Sequence, residues 1–410
     1  MQTIQIFFNK YPRQFYLMLV GMLFSASGAS MIWPFLLIYV SGKLNLPLST
    51  AATLITINAT TTLVASFLGG SIVDAFGRKG VMVVSLLADG LFFLLMIRAE
   101  TYAAFAILMF ARGISNPLFR IGADAMLADL IAPEERVEAY GWMRMVNNAG
   151  ISIGPAVGGF LAATSYNYAF MGAAAGMILY GLLIGLFGHE TLVKRENPLP
   201  KAAALADSLS GYWHALTDFP FISAIGSMAF GWITASLMWL IMPVYAKTNF
   251  GVPENLYGWI PTTNALMVVF LQVAMTAVTR KFRPLTMMAL GMLLYALASG
   301  GVALANGFWG FWICMVVMSL GELIIAPTSN TFAANSAPPE MRGRYMSLYG
   351  LTWAFGSIFG PLLGGALNDN LGPRWIWIGS LCIGLLSTLA LFSLSRRREP
   401  SPATAHPTGR

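Results

Sequence analysis

Long apolar runs, each near the length of a bilayer crossing, follow one another along almost the whole chain, separated by short polar breaks. A helix needs about 20 apolar residues to cross the hydrocarbon core. Twelve runs reach that length, at 14–41, 48–73, 80–98, 102–130, 138–162, 166–187, 219–246, 256–278, 284–305, 307–332, 343–368 and 374–395. They do not alternate with period two, so they predict helices rather than barrel strands. The longest polar break, 188–218, carries Lys194, Arg195, Glu196, Asn197 and Pro198 and divides the runs six and six. The expected fold class is an all-α membrane protein with twelve transmembrane helices in two six-helix bundles, residues 1–187 and 219–395. Residues 188–218 read as a linker in which Ala203–Leu216 lies on the membrane surface, and 396–410 as a disordered tail.

The two halves share a glycine pattern at an offset of 206 positions. Gly150, Gly154, Pro155, Gly158 and Gly159 in the fifth run match Gly356, Gly360, Pro361, Gly364 and Gly365 in the eleventh. The same offset aligns Pro133, Glu134 and Arg136 with Pro339, Glu340 and Arg342. Glycines at this spacing let a second helix approach closely, and the proline bends its own helix. A chain of two similar halves suits a transporter, since related bundles can rock about a central site.

Composition supports the membrane reading: 57% of the 410 residues are hydrophobic, 10% are charged and mean hydropathy is +0.68, whereas soluble domains carry about 25% charged residues. The net charge of +7 does not indicate a nucleic-acid partner, because the basic residues sit in short loops. If both termini are cytoplasmic, seventeen Lys and Arg fall on that side and four (Lys43, Arg98, Lys247, Arg374) on the other, as the positive-inside rule requires. Cys314 and Cys382 have no metal-ligand spacing, and His189, His214 and His406 lie outside the runs. A proton relay inside the membrane must then use carboxylates. There is no nucleotide-cradling Gly-x4-Gly-Lys-Ser/Thr loop and no catalytic constellation. The chain reads as neither an enzyme nor an ATP-driven pump, with no cofactor and no metal.

Gly70 near the end of the second run is followed, in the break before the third, by Asp74, Gly77, Arg78 and Lys79. Together with Arg112 in the fourth run and the Gly-Pro-Gly-Gly segment of the fifth, this loop resembles the major facilitator superfamily. The fifth-run segment is similar to the antiporter motif of its twelve-span drug:proton branch. The resemblance covers residues 10 to 395. It implies that Asp74, Arg78 and Asp129, with Gly70, Gly77, Lys79 and Arg136 around them, form a conformational latch. It also associates Arg112 with proton coupling. The chain departs from some drug antiporters of this branch in having no acidic residue in its first run.

Charges inside the runs cost several kcal/mol each unless paired or wet, which makes them candidate functional groups. Asp89 lies in the third run. Arg112, Asn116, Arg120 and Asp124 recur every four residues in the fourth, forming one polar helix face. Arg144 and Asn147 continue the polarity in the fifth. Asp89 is a candidate ion-pair partner for Arg112. Glu322 stands in the tenth run about 15 residues past its outer end. A carboxylate is costly to keep charged there, so it is suited to taking up and releasing a proton or attracting a cation. Proton coupling is thus expected of Glu322, Asp124, Asp89 and Arg112. A substrate cavity is expected from Glu322, Asn116, Arg120, Arg144, Asn147, Asn264 and Trp239.

The expected function is secondary active transport, the proton-coupled export of lipophilic cationic compounds by a monomer in the bacterial inner membrane. Its partners would be a small-molecule substrate, protons and the lipid bilayer. Two alternatives are proton-coupled transport of a sugar, amino acid or peptide, and a non-transporting receptor or scaffold. The charged stripe and Glu322 weigh against the scaffold, which has no use for costly buried charge.

Overall fold

The computed structural model describes residues 10–192, 214–338 and 341–398, and these are helical almost throughout. The helices are α1 Arg13–Ile32, α2 Leu36–Leu44, α3 Leu48–Phe76, α4 Arg78–Arg98, α5 Tyr102–Leu130, α6 Arg136–Thr164 and α7 Tyr166–Phe187. After these come α8 Phe219–Leu240, α9 Met242–Phe250, α10 Glu254–Tyr257, α11 Trp259–Thr279, α12 Pro284–Val302, α13 Gly307–Ser336, α14 Arg342–Leu371 and α15 Pro373–Arg398. Of the expected surface segment 203–216, residues 203–213 lie outside the described residues, as does the tail beyond Arg398; residues 396–398, expected in the disordered tail, instead continue α15 as helix.

Eleven stretches among the described residues are long and apolar enough to cross a membrane. Helix α6 is as long, at 29 residues, but is not among them. Three expected runs turn out to be interrupted. Pro34 lacks an N–H and its ring crowds the preceding turn, so α1 passes through a 3-10 turn, Trp33–Phe35, before α2. Pro243 follows the break between α8 and α9, and Pro261 follows that between α10 and α11. Pro117, Pro155, Pro327 and Pro361 sit inside α5, α6, α13 and α14 without ending them, as packing against neighbours permits in membrane helices.

Local chemistry sets several helix starts. Thr101, Ser165 and Asp218 each accept a backbone N–H of the first turn, from Ala104, Asn167 and Phe221 respectively, at the positions where short polar side chains satisfy orphan donors. Gly77 turns the chain between α3 and α4 at φ +90°, a conformation a Cβ would strain.

The chain separates into two compact units, Met1–Lys194 with Pro243–Val269, and Arg195–Met242 with Phe270–Arg410. In the first, α1 packs on α6 and α7, α3 on α5, and α4 on α5 and α7. Phe15, Phe93, Phe105, Phe170 and Tyr180 are fully buried there. In the second, α8 packs on α14 and α15, and α12 on α13 and α15, around Phe221, Tyr295, Phe311 and Trp377. Lipid tails are as apolar as these side chains, so close packing and buried hydrogen bonds, rather than escape from water, hold such helices together.

The repeated glycines form a seam in each unit. Gly150 meets Ala26 and the Ser27 backbone, Gly154 meets Ser30, and Gly158 meets the Met31 backbone, joining α6 to α1. In the second unit Gly356 meets Trp232, Gly360 meets Ser236, and Gly364 meets Leu237 and Ile241, joining α14 to α8. Ser30 donates to the Ala26 carbonyl at 2.6 Å and approaches the Gly150 carbonyl at 3.4 Å. Ser236 donates to the Gly356 carbonyl at 2.8 Å. Ser30 and Gly150 map onto Ser236 and Gly356 at the same 206-residue offset.

Candidate functional site

Polar chemistry in the first unit gathers at three levels. At the Asp74 end, the N-terminus of α4 is held by side chains from both sides. Arg78 lies 3.3 Å from Asp74, one turn earlier, and 3.0 Å from Asp129 on the last turn of α5. Asp129 also accepts from the Thr191 hydroxyl at 2.9 Å. Glu190, just beyond α7, accepts the backbone N–H groups of Arg78 and Lys79, each at 3.0 Å, and those of Thr191 and Leu192, each at 2.9 Å. A carboxylate on a helix N-terminus answers both the unpaired N–H groups and the helix dipole. Partial burial acts to raise the Glu190 pKa, but the four N–H donors outweigh it and hold the carboxyl below its ordinary range. A side chain at Gly77 would run into this carboxylate. Nearby, Gln14 of α1 exchanges two hydrogen bonds with the His189 backbone, at 2.9 and 3.0 Å. Gly70 faces open space. Arg136 does not join this group: it caps α5, donating to the carbonyls of Ala128 at 2.7 Å and Ile131 at 3.1 Å.

Midway along α4 and α5 lies a buried ion pair. Arg112 reaches Asp89 through Nε at 2.8 Å and through a terminal nitrogen at 3.3 Å. The two residues are 5% and 2% exposed. Ser115 donates to the same carboxylate at 3.4 Å, and the guanidinium lies 3.9 Å from the centre of the Phe93 ring, within cation–π range. The other guanidinium nitrogen, Nη1, is buried without a hydrogen-bond partner. The rest of the polar face behaves differently: Asn116 and Asn147 are half-buried, while Arg120, Asp124 and Arg144 are exposed.

The third cluster is at the far end. Glu254, 5% exposed, accepts from Tyr166 at the start of α7 and from Lys247 of α9 at 2.7 Å. Around it, Gly159 and Pro155 of α6 pack directly on the backbones of Glu254 and Gly258, and Thr262 donates to the Ser152 carbonyl at 2.8 Å. The fifth-run motif thus has two working faces, one on α1 and one on α10 with the start of α11. Asn264 is buried on the same helix as Thr262.

In the second unit, Glu322 is half-buried on α13 and interacts electrostatically with buried Tyr295 of α12. Gln272 of α11 donates to the adjacent Leu323 carbonyl at 3.1 Å. Trp239 is half-buried near the end of α8.

The sequence profile of the Major Facilitator Superfamily matches residues 18–248 and again 224–410. A Na(+), Li(+), K(+)/H(+) antiporter of Planococcus maritimus is 27% identical over 375 residues, covering 84% of this chain and 87% of its own. The multidrug resistance protein MdtH of Aeromonas hydrophila subsp. hydrophila is 26% identical over 341 residues, 82% of this chain and 83% of its own. Among solved structures, a POT family transporter in complex with 5-aminolevulinic acid superposes with a TM-score of 0.80 at 17% identity, over 94% of this chain and 96% of that one. At that identity the likeness speaks for the fold.

Proposed function

Since the chain belongs to the Major Facilitator Superfamily and is a multi-pass membrane protein of transporter type, we propose that it is a proton-coupled exporter of lipophilic cationic compounds. The observation that carries this reading is the Asp89–Arg112 pair. Two charges removed from water cost several kcal/mol each before their attraction offsets it, and neutral side chains would hold two helices together without that cost. A carboxylate that gives up its arginine when protonated couples proton uptake to a rearrangement of α4 against α5. Glu322 and Asp124 serve the same traffic, and Asn116, Arg120, Arg144, Asn147, Asn264 and Trp239 face the substrate. The likeness to MdtH, a multidrug resistance protein, supports a drug as the substrate.

In this reading the twelve helical segments form two six-helix bundles, 1–187 and 219–395, joined by a linker, in a monomer of the inner membrane with both termini in the cytoplasm. Asp74, Arg78 and Asp129, with Gly70, Gly77 and Lys79, latch the cytoplasmic end. Gly150, Gly154, Pro155, Gly158 and Gly159 are the close-packed joint that alternating access needs.

A second reading, exchange of monovalent cations for protons, is favoured by the Planococcus relative. Purified protein in liposomes with an imposed pH gradient separates the two. Ethidium should move with the gradient and stop when the gradient is collapsed. If ethidium moves no faster than in empty liposomes while Na⁺ or K⁺ dissipates the gradient, the second reading replaces the first. If neither moves, both fail.

A further inference from the structure

Helices α8, α14 and α15 leave a crevice of about 870 Å³ between them in the second unit. Its walls are apolar, formed by Phe230 and Ile233 of α8, Phe355 and Phe359 of α14, and Leu386 and Ala390 of α15. Phe230, Phe359 and Leu386 are exposed, so the mouth opens sideways, to the hydrocarbon in a membrane. The serines on the floor are already engaged: Ser387 donates to the Ser227 carbonyl at 2.6 Å, and Ser227 to that of Ser223 at 2.7 Å. Gly226 also lines the space, and a Cβ there would meet nothing within 4 Å. A glycine inside a helix forfeits stability relative to alanine. The other α8 glycine, Gly231, is pressed against Met292 and Ser387. Gly226 has no such neighbour, so its missing side chain leaves room for something from outside the chain.

Two dimensions identify the occupant. On α8 the crevice runs from Ser223 to Ile233, ten residues or roughly 15 Å at the helical rise, which is one leaflet of a hydrocarbon core of about 30 Å. The bonds Ser387–Ser227 and Thr234–Ser380 show that α8 and α15 run antiparallel. The end of α15 is therefore level with the start of α8, on the side where the crevice lies. That end carries Arg396, Arg397 and Arg398, and the exposed Arg396 guanidinium rests 4.5 Å from the centre of the Phe392 ring. An apolar slot one leaflet deep, level with the helix end that carries Arg396, matches a long hydrocarbon chain with a negative head. A lipophilic cation would suit the walls and be repelled by the arginines.

We propose that this crevice is a binding site for an anionic phospholipid, one acyl chain filling the slot and the phosphate at the arginine-bearing end of α15. The site is separate from the charged groups assigned to transport, and its test reads bound lipid, so it stands or falls independently of the proposed function.

Protein extracted in mild detergent and examined by native mass spectrometry should retain one phospholipid. Titration should show phosphatidylglycerol binding more tightly than phosphatidylcholine, by roughly fivefold for each arginine that meets the headgroup. Gly226→Leu projects into empty space, so it should fold and lose that one equivalent. Arg396→Gln should keep the chain-binding site and reduce the preference for phosphatidylglycerol. Three results would overturn the proposal: a wild type that releases all phospholipid, a Gly226→Leu protein that retains as much as wild type, or equal affinity for the two headgroups.

Discussion

Neutralising Asp89 while keeping its shape is the most informative single change. Asp89→Asn retains an oxygen that can accept from Arg112, yet leaves a guanidinium 5% exposed with no counter-charge. Breaking a buried pair by removing one partner costs about 3–5 kcal/mol. The surviving neutral hydrogen bond returns about 1 kcal/mol of that, and the Phe93 ring 3.9 Å away goes on screening the cation in both proteins. The expected loss is therefore about 2–4 kcal/mol, read as a lower unfolding midpoint in detergent at a fixed scan rate, since such unfolding is irreversible. Arg112→Gln should cost a similar amount by stranding the carboxylate. The double variant strands neither, so its loss should fall short of the sum of the singles by about 0.5–3 kcal/mol, the range for contacting residues. In liposomes, Asp89→Asn and the double variant should both lose the dependence of transport on the pH gradient. A purely structural pair would instead give a double variant that regains stability and normal pH dependence together. Strict additivity of the two single losses would refute the pair as an energetic unit, and a normal pH profile in Asp89→Asn would remove it from coupling.

Gly158→Leu should insert but lose transport, because the new side chain meets the Met31 backbone, which has no rotamer by which to yield; wild-type turnover would show that α6 and α1 need not stay close. Glu190 binds the start of α4 through a carboxyl held below its ordinary 4.5. Its contribution is complete above that value in the unfolded chain and fades as pH falls through the lower folded one. Protection of the Arg78 and Lys79 amides, the ratio of intrinsic to observed hydrogen exchange, should be high at neutral pH, fall as acid protonates Glu190, and be low at every pH in Glu190→Gln, typically by an amount matching about 1 kcal/mol for a lost cap, less where salt screens it; identical protection in the two proteins would refute the contact. Glu322→Gln should insert normally, bind cationic ligands more weakly than wild type while affecting neutral ones less, and lose transport driven by a pH gradient; export of cations at the normal rate with unchanged pH dependence would shift coupling to Asp89 or Asp124.

Much of the helical framework was legible because membrane helices advertise themselves by length and hydropathy. Runs read as 102–130 and 166–187 are the helices Tyr102–Leu130 and Tyr166–Phe187. The interruptions at Trp33–Phe35 and after Leu240 were harder to see, since a proline in a membrane helix can either break it, as Pro34 does, or bend within it, as Pro155 does, and the neighbouring helices decide. Asp89 and Arg112 could be paired on paper because both charges sit at matching depth in successive runs. Glu190 and Glu254 could not. Their partners lie 112 and 88 positions away, each just inside or outside a helix end, where a carboxylate reads as ordinary loop polarity. Arg136 went the opposite way: the sequence grouped it with the latch, but its guanidinium donates to the carbonyls that end α5.

The serine–glycine seam on α1 and α6, built again from the same residue types on α8 and α14, gives the molecule its own reference measurement. Ser30→Ala and Ser236→Ala remove the same hydroxyl from equivalent joints made of equivalent parts. Their structural costs should be comparable, so any difference in how the two proteins perform reflects the work done at each joint. A duplicated seam thus allows mechanical labour to be separated from mere cohesion within one polypeptide, with each half serving as the control for the other.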